Sequence, residues 1–189
     1  RRMEYRGYDS AGVAVLCGDM LQRVRCSGKI ADLSQELASR RGSADNATLF
    51  QGNLGIAHTR WATHGMPTEN NAHPHTDCTG SVAVVHNGII ENYRTLRAVL
   101  AEEGHTFVTD NDTETLAHLI EKFLRDMLLP DAVSAALRLV QGTYGVAVID
   151  AAFPDMIVAA RQGSPILIGW NGDGDRVVAS DPAALVGVL

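Results

Sequence analysis

The sequence has little of what a secreted, membrane-bound or nucleic-acid-binding protein needs. Among 189 residues there are three cysteines, Cys17, Cys26 and Cys78. An odd number at irregular spacing gives no disulfide framework and favours a reducing, cytoplasmic setting. No apolar run approaches the ~20 residues of a membrane span and no signal peptide opens the chain, so a membrane partner is not expected. Positive charge is also short: 16 Lys and Arg face 22 Asp and Glu, for a net charge of -6. Phosphate neutralisation needs clustered cations, and Arg1-Arg2 is too short a cluster, which argues against a nucleic-acid partner. There is no initiator Met, and the last residues, Ala183 to Leu189, stop inside an apolar stretch with nothing to cap it. Both ends look cut, so the chain reads as part of something longer.

What remains is an ordinary globular composition, 46% hydrophobic and 20% charged, in a length that suits one sizeable domain. Val13–Leu16, a turn at Gly18-Asp19 and Met20–Cys26 read as a hairpin. Ile30–Ser39 reads as a short helix, and the Gly-, Ser- and Asn-rich stretch 40–53 as a loop. Leu54–His58 and Val82–His86 read as buried strands with polar residues at their ends. Helices are expected at Glu91–Glu103, Thr113–Met127 and Asp131–Val140. Gly104 would stop the first; Asp112, or Asn111 paired with Glu114, would cap the second; the third opens after Pro130. Short strands follow at Gly145–Ile149, Met156–Ala160, Ile166–Ile168 and Arg176–Ala179, and Ser180-Asp181-Pro182 looks like the start of a further helix. Paired strands and consecutive helices make an α+β pattern, not an alternating βαβ one.

Polar clusters interrupt the apolar runs at strand ends, where sites are usually built. They are Tyr5-Arg6-Gly7-Tyr8-Asp9-Ser10-Ala11-Gly12; His58-Thr59-Arg60-Trp61-Ala62-Thr63-His64-Gly65 with Asn71-Ala72-His73-Pro74-His75 downstream; His86-Asn87-Gly88-Ile89-Ile90-Glu91-Asn92; and Asn111-Asp112-Thr113-Glu114. Each has a plain structural reading. Asn87-Gly88 is a common turn dipeptide, Asp112 could simply cap a helix, and Arg60 could pair on the surface. His73, His75 and Cys78 match no strong zinc spacing, so no metal is expected there.

In this order and at these separations the four clusters resemble the glutaminase domain of the glucosamine-6-phosphate synthases, which are class II glutamine amidotransferases of the N-terminal-nucleophile hydrolase type. The likeness runs over nearly the whole chain, with weaker support from a GTYG turn at Gly142–Gly145, from Ala160–Pro165 and from Ala179–Asp181. It implies a four-layer αββα sandwich and one glutamine amidotransferase type 2 domain over 1–189, incomplete at both ends. It also implies hydrolysis of L-glutamine to glutamate and ammonia, with no cofactor. In the full-length enzyme the ammonia would convert fructose 6-phosphate to glucosamine 6-phosphate at a C-terminal sugar-phosphate isomerase domain, in a homodimer.

Residue by residue, the resemblance makes Arg60 the partner of the substrate α-carboxylate and Asp112 that of the α-ammonium. A zwitterion needs one of each sign, and a guanidinium can bind a carboxylate in a bidentate fork. Thr63 and His64 would line the same pocket, and Trp61 would be a lid. Asn87 and Gly88 would donate to the oxyanion of the tetrahedral intermediate. Arg6 would hold the loops around the nucleophile. That nucleophile, a cysteine at the mature N-terminus whose own α-amine serves as base, is not in the sequence, and Cys17, Cys26 and Cys78 read as structural. Two other readings remain open: the glutaminase domain of another class II amidotransferase, and a non-catalytic glutamine-binding domain that keeps the pocket without the nucleophile.

Overall fold

The structure is a computed structural model that describes residues 7–41, 50–61, 66 and 68–186. Strands β1 (Ser10–Cys17), β2 (Met20–Ser27) and β3 (Leu54–Arg60) form an antiparallel sheet in the order β2-β1-β3. A second antiparallel sheet, in the order β4-β5-β6-β7, contains β4 (His75–Thr76), β5 (Val82–Ile90), β6 (Gly142–Asp150) and β7 (Val158–Gln162). Strands β8 (Leu167–Trp170) and β9 (Arg176–Ala179) make a separate hairpin. The helices are α1 (Ile30–Arg41), α2 (Tyr93–Glu102), α3 (Asp112–Leu124), α4 (Leu129–Leu139) and the short α5 (Pro182–Leu185).

Three apolar clusters fix the layering. Ala11, Val24 and Leu33 join the first sheet to α1. Ala14, Leu16, Leu54 and Ile56 of the first sheet meet Ala83, Val85 and Ile149 of the second. The opposite face of the second sheet, with Val82, Val84, Val146 and Val148, packs on α3 and α4 through Leu116, Ile120, Leu129, Val133 and Ala136. This is the four-layer αββα sandwich of an α+β fold. Strands β5 and β6 read as nearly continuous apolar runs because both of their faces are covered. Leu116, Ile120 and Ile149 are fully buried, each stabilising the fold by about 1.5–3 kcal/mol of transfer free energy.

Most elements fall where periodicity puts them, with informative shifts. Asn87-Gly88 is not a turn: β5 runs on to Ile90, and both residues pair with Gly145 and Tyr144 of β6. For the same reason Gly142–Gly145 is the start of β6 and not a turn. Strand pairing supplies a partner for each backbone group, which outweighs the local turn preference of these residues. The two-residue β4 had no signal, and β7 begins two residues later than apolar content suggests. Among the described residues no helix is long and apolar enough to cross a membrane.

Candidate functional site

Three elements meet on one side of the sandwich: the C-terminal end of β3, the C-terminal half of β5 and the first turn of α3. They enclose a cavity of about 170 Å³ whose lining includes His58, Arg60, Trp61, His86, Asn87 and Gly88. Arg60 is placed by β-pairing to Ser10 and is only 3% exposed. Burial lowers its pKa, and Asp112 and Asp9 act against that shift. The other expected charge, Asp112, is 4% exposed. Its Oδ2 accepts from Ile90 N at 2.9 Å, which ties α3 to the end of β5.

The start of α3 resolves two alternatives. Asn111 is the N-cap, accepting from Thr113 N at 2.9 Å, and Asp112 is the first helical residue. Glu114 does not close a capping box on Asn111. Its carboxylate reaches further back, to Val108 N at 2.8 Å and to the N and Oγ1 of Thr109 at 2.9 and 2.8 Å. With its capping duty taken by Asn111, Asp112 is available for charge pairing beside the cavity.

Asn87 is oriented by a residue to which the sequence assigned no role. His58 Nε2 lies 3.0 Å from Asn87 Oδ1. Full burial lowers the His58 pKa to about 4, so the ring is neutral near pH 7 and its Nε2–H donates to Oδ1. That fixes the orientation of the Asn87 amide at the cavity wall, with Oδ1 occupied by His58. Gly88 follows with φ at +133°, where a Cβ would stand 2.1 Å from the Thr143 carbonyl oxygen and 3.0 Å from His86 Nε2. The glycine therefore serves the close approach of β6 as well as any ligand.

Behind these residues lies a group of uncharged histidines. His86 Nε2 faces Thr143 O at 3.2 Å, so that nitrogen carries the proton and Nδ1 accepts from Thr113 Oγ1 at 3.0 Å. His73 Nδ1 accepts from His86 N at 3.3 Å. His58 stacks on His73 with centroids 4.3 Å apart, and His73 meets His75 edge-on at 4.8 Å. Desolvation is the largest cause of the lowered pKa in every one, reaching about 3 for His75. Arginines of β2 hold the segment that delivers His73 and His75: Arg23 donates to Pro74 O, and Arg25 to Asn70 O and Ala72 O. Asn71 bridges the two sides of the site, donating to Met66 O at 3.1 Å and accepting from Asp110 N at 3.0 Å. These histidines and Asn71 stood inside the quoted motifs. Their signal was a polar residue ending or flanking an apolar run.

Trp61 sits at the rim, exposed, with its ring 5.4 Å from that of Tyr8. Arg6, Thr63 and His64 lie outside the described residues. Cys17 and Cys26 lie on β1 and β2, and none of the three cysteines lines the cavity. The Cys78 thiol faces His105 and His118.

The sequence profile described as "Glutamine amidotransferase domain" matches residues 3–189. The chain is 51% identical to the glutamine–fructose-6-phosphate aminotransferase [isomerizing] of Pseudomonas syringae pv. tomato over 98% of its own length and 29% of that protein. It is 50% identical to the corresponding protein of Haemophilus influenzae over 99% of its length, again 29% of the relative. The chain thus spans about three tenths of the curated relatives it matches. Among solved structures it resembles the glutamine phosphoribosylpyrophosphate amidotransferase of B. subtilis in complex with ADP and GMP. There the TM-score is 0.77 at 28% identity, covering 97% of this chain and 38% of that one.

Proposed function

Because the chain belongs to the glutamine amidotransferase domain family, we propose that its cavity binds L-glutamine and supports hydrolysis of the side-chain amide to glutamate and ammonia. The observation that carries this reading is the lining of the cavity by Arg60 and by Asn87, whose oxygen is held by His58, with Asp112 between two lining residues, Asn111 and Thr113; Arg60 and Asp112 are of the two signs a zwitterion requires.

In this reading the α-carboxylate docks on Arg60 and the α-ammonium on Asp112. A thiolate attacks the carboxamide carbon, and the developing oxyanion takes hydrogen bonds from Asn87 Nδ2 and Gly88 N. The α-amine of the attacking cysteine, having taken the thiol proton, returns it to the departing nitrogen as the intermediate collapses. This expels ammonia and leaves a glutamyl thioester; water then hydrolyses the thioester to glutamate and regenerates the thiol. The cavity is lined by no cysteine, so the thiolate comes from a residue outside this sequence, an N-terminal cysteine by the family resemblance. Neutral His58 and His86 suit the site, because an imidazolium beside Arg60 would compete for the substrate carboxylate. Trp61, packed on Tyr8 at the rim, is placed to act as a lid. Thr63 and His64 would complete the pocket wall, and Arg6 would brace the nucleophile.

For the whole protein we propose transfer of the ammonia to fructose 6-phosphate, giving glucosamine 6-phosphate, at an isomerase domain in a cytoplasmic homodimer. The identity of about one half to the aminotransferases favours this over another class II amidotransferase. The test is steady-state glutaminase kinetics of the full protein with Arg60→Lys. Loss of the bidentate fork should raise KM for glutamine at least tenfold while kcat changes little. An unchanged KM would remove Arg60 from the glutamine site.

A further inference from the structure

Four side chains able to ligate metal converge from three separate segments, about two turns along α3 from Asp112. Cys78 comes from the β4–β5 loop, His105 from the segment after α2, and His118 and Glu121 from adjacent turns of α3. Each offers one donor atom, and all four atoms lie within 4.8 Å of one another. Cys78 Sγ is 3.8 Å from His105 Nδ1 and 3.5 Å from His118 Nδ1. Glu121 Oε2 is 2.9 and 3.1 Å from the same two nitrogens.

We propose that Cys78, His105, His118 and Glu121 form a zinc site that braces the loops around the start of α3. Zn–S bonds of ~2.3 Å and Zn–N or Zn–O bonds of ~2.0–2.1 Å at tetrahedral angles place S and N about 3.5 Å apart and N and O about 3.3 Å apart. These four separations are within a few tenths of an ångström of those values and the remaining pairs lie within 4.8 Å, so a bound ion requires side-chain movements of about an ångström or less. One thiolate, two imidazoles and one carboxylate form a donor set suited to Zn²⁺, and four protein ligands make a closed, structural site. The partly exposed Cys78 gives the ion a way in.

Hydrogen bonding alone explains the cluster less well. With both Nδ1 atoms facing Glu121, the buried Nε2 atoms of His105 and His118 have no hydrogen-bond partner. If Nδ1 of His118 binds metal, Nε2 carries the proton and faces Glu114 Oε1 at 3.9 Å, a charge contact beyond hydrogen-bond distance. That carboxylate is already fixed by Val108 and Thr109, and an outer carboxylate on a ligating histidine is how such sites hold their ligands in register. The site would tie the β4–β5 loop and the segment before Asn111 to α3, so it would steady the helix that carries Asp112. The inference does not rest on the glutamine reading.

The experiment uses the full protein, without a histidine tag, stripped with a chelator under reducing conditions and then titrated with Zn²⁺ or Co²⁺. After gel filtration the wild type should retain about one metal per chain. The cobalt form should show a near-ultraviolet thiolate-to-cobalt charge-transfer band. Cys78→Ser, at a partly exposed position, should fold, lose that band and bind cobalt at least tenfold more weakly. Zinc should raise Tm of the wild type by clearly more than that of Cys78→Ser. His105→Gln gives a second, independent loss of metal. Retention of no metal by the wild type, or a charge-transfer band that survives Cys78→Ser, would overturn the proposal.

Discussion

Lowering the pH from 6.5 to 5 should destabilise this protein mainly through its buried histidines, above the range where carboxylates take up most of their protons. His58 and His75 are depressed from 6.5 to about 4 and about 3, with desolvation the largest cause. The unfolded chain, with pKa near 6.5, takes up these protons first, so folded-state stability is full above 6.5 and is lost as pH falls towards the folded values. Each proton difference is worth about 1.36 kcal/mol per pH unit, which gives a loss of about 1.5 kcal/mol per histidine over this window. His58 and His75 together therefore cost about 3 kcal/mol, a large share of a typical total of about 5–15 kcal/mol. His73 and His86, lowered for the same reason, add to the loss. His118 shifts the opposite way, but its contribution is largely expressed by pH 6.5 and drops out of the difference. With an m-value of about 2 kcal/mol/M, the urea midpoint followed by circular dichroism should fall by at least about 1.5 M. His75→Phe should shrink that fall by about 0.75 M on the same m-value. This ring has no hydrogen-bond partner at either nitrogen, so the substitution breaks no hydrogen bond. A midpoint that stays level between pH 6.5 and 5 would refute the assignment of these rings as buried and neutral.

Asn87→Ala should lower glutaminase kcat about 10²–10³-fold with KM nearly unchanged, as expected for a donor used mainly in the transition state. His58→Phe should cost roughly one hydrogen bond, about 0.5–1.5 kcal/mol of barrier, and almost nothing further in the Asn87→Ala background; additive losses would separate His58 from Asn87. Gly88→Ala combines a φ of +133° with a Cβ 2.1 Å from Thr143 O, so thermal melts should show a loss of about 3 kcal/mol or more. Gly80→Ala, where φ is +76° and nothing lies within 4 Å, should cost only about 1–2 kcal/mol. Ile120→Ala, fully buried against β5 and α4, should cost about 2–5 kcal/mol in the same assay.

The helices were legible because their apolar faces repeat at helical spacing: Leu116, Leu119, Ile120 and Phe123 put α3 in place to within one residue at its start. Strand β9 and the Asp181 cap of α5, which accepts from Ala183 N, were legible from local chemistry alone. The extent of β5 and β6 was not. The polar and glycine residues from His86 to Gly88 and from Gly142 to Gly145 carry turn preferences, and only pairing across the sheet makes them strand.

The same division holds for the site. Arg60, Asn87, Gly88 and Asp112 were candidates by resemblance of their motifs to the family, and opposite charges on the first and last suit a zwitterion. Their support could not be named, because it comes from residues distant in sequence. His58 fixes Asn87 from 29 positions away, Asn71 reaches Asp110 across 39, and Thr143 meets His86 across 57. Nor could the Cys78, His105, His118 and Glu121 cluster be seen, since only the packing of α3 on β5 and the close of the α2–α3 segment bring those donors together. The sequence alone determined the α+β class, the family and the residues that bear charge or hydrogen-bonding capacity, since these follow from residue type and short-range order. Only the tertiary structure decided which of those groups are neutral, oriented or shared, because desolvation and hydrogen-bond geometry depend on what the rest of the chain places around them.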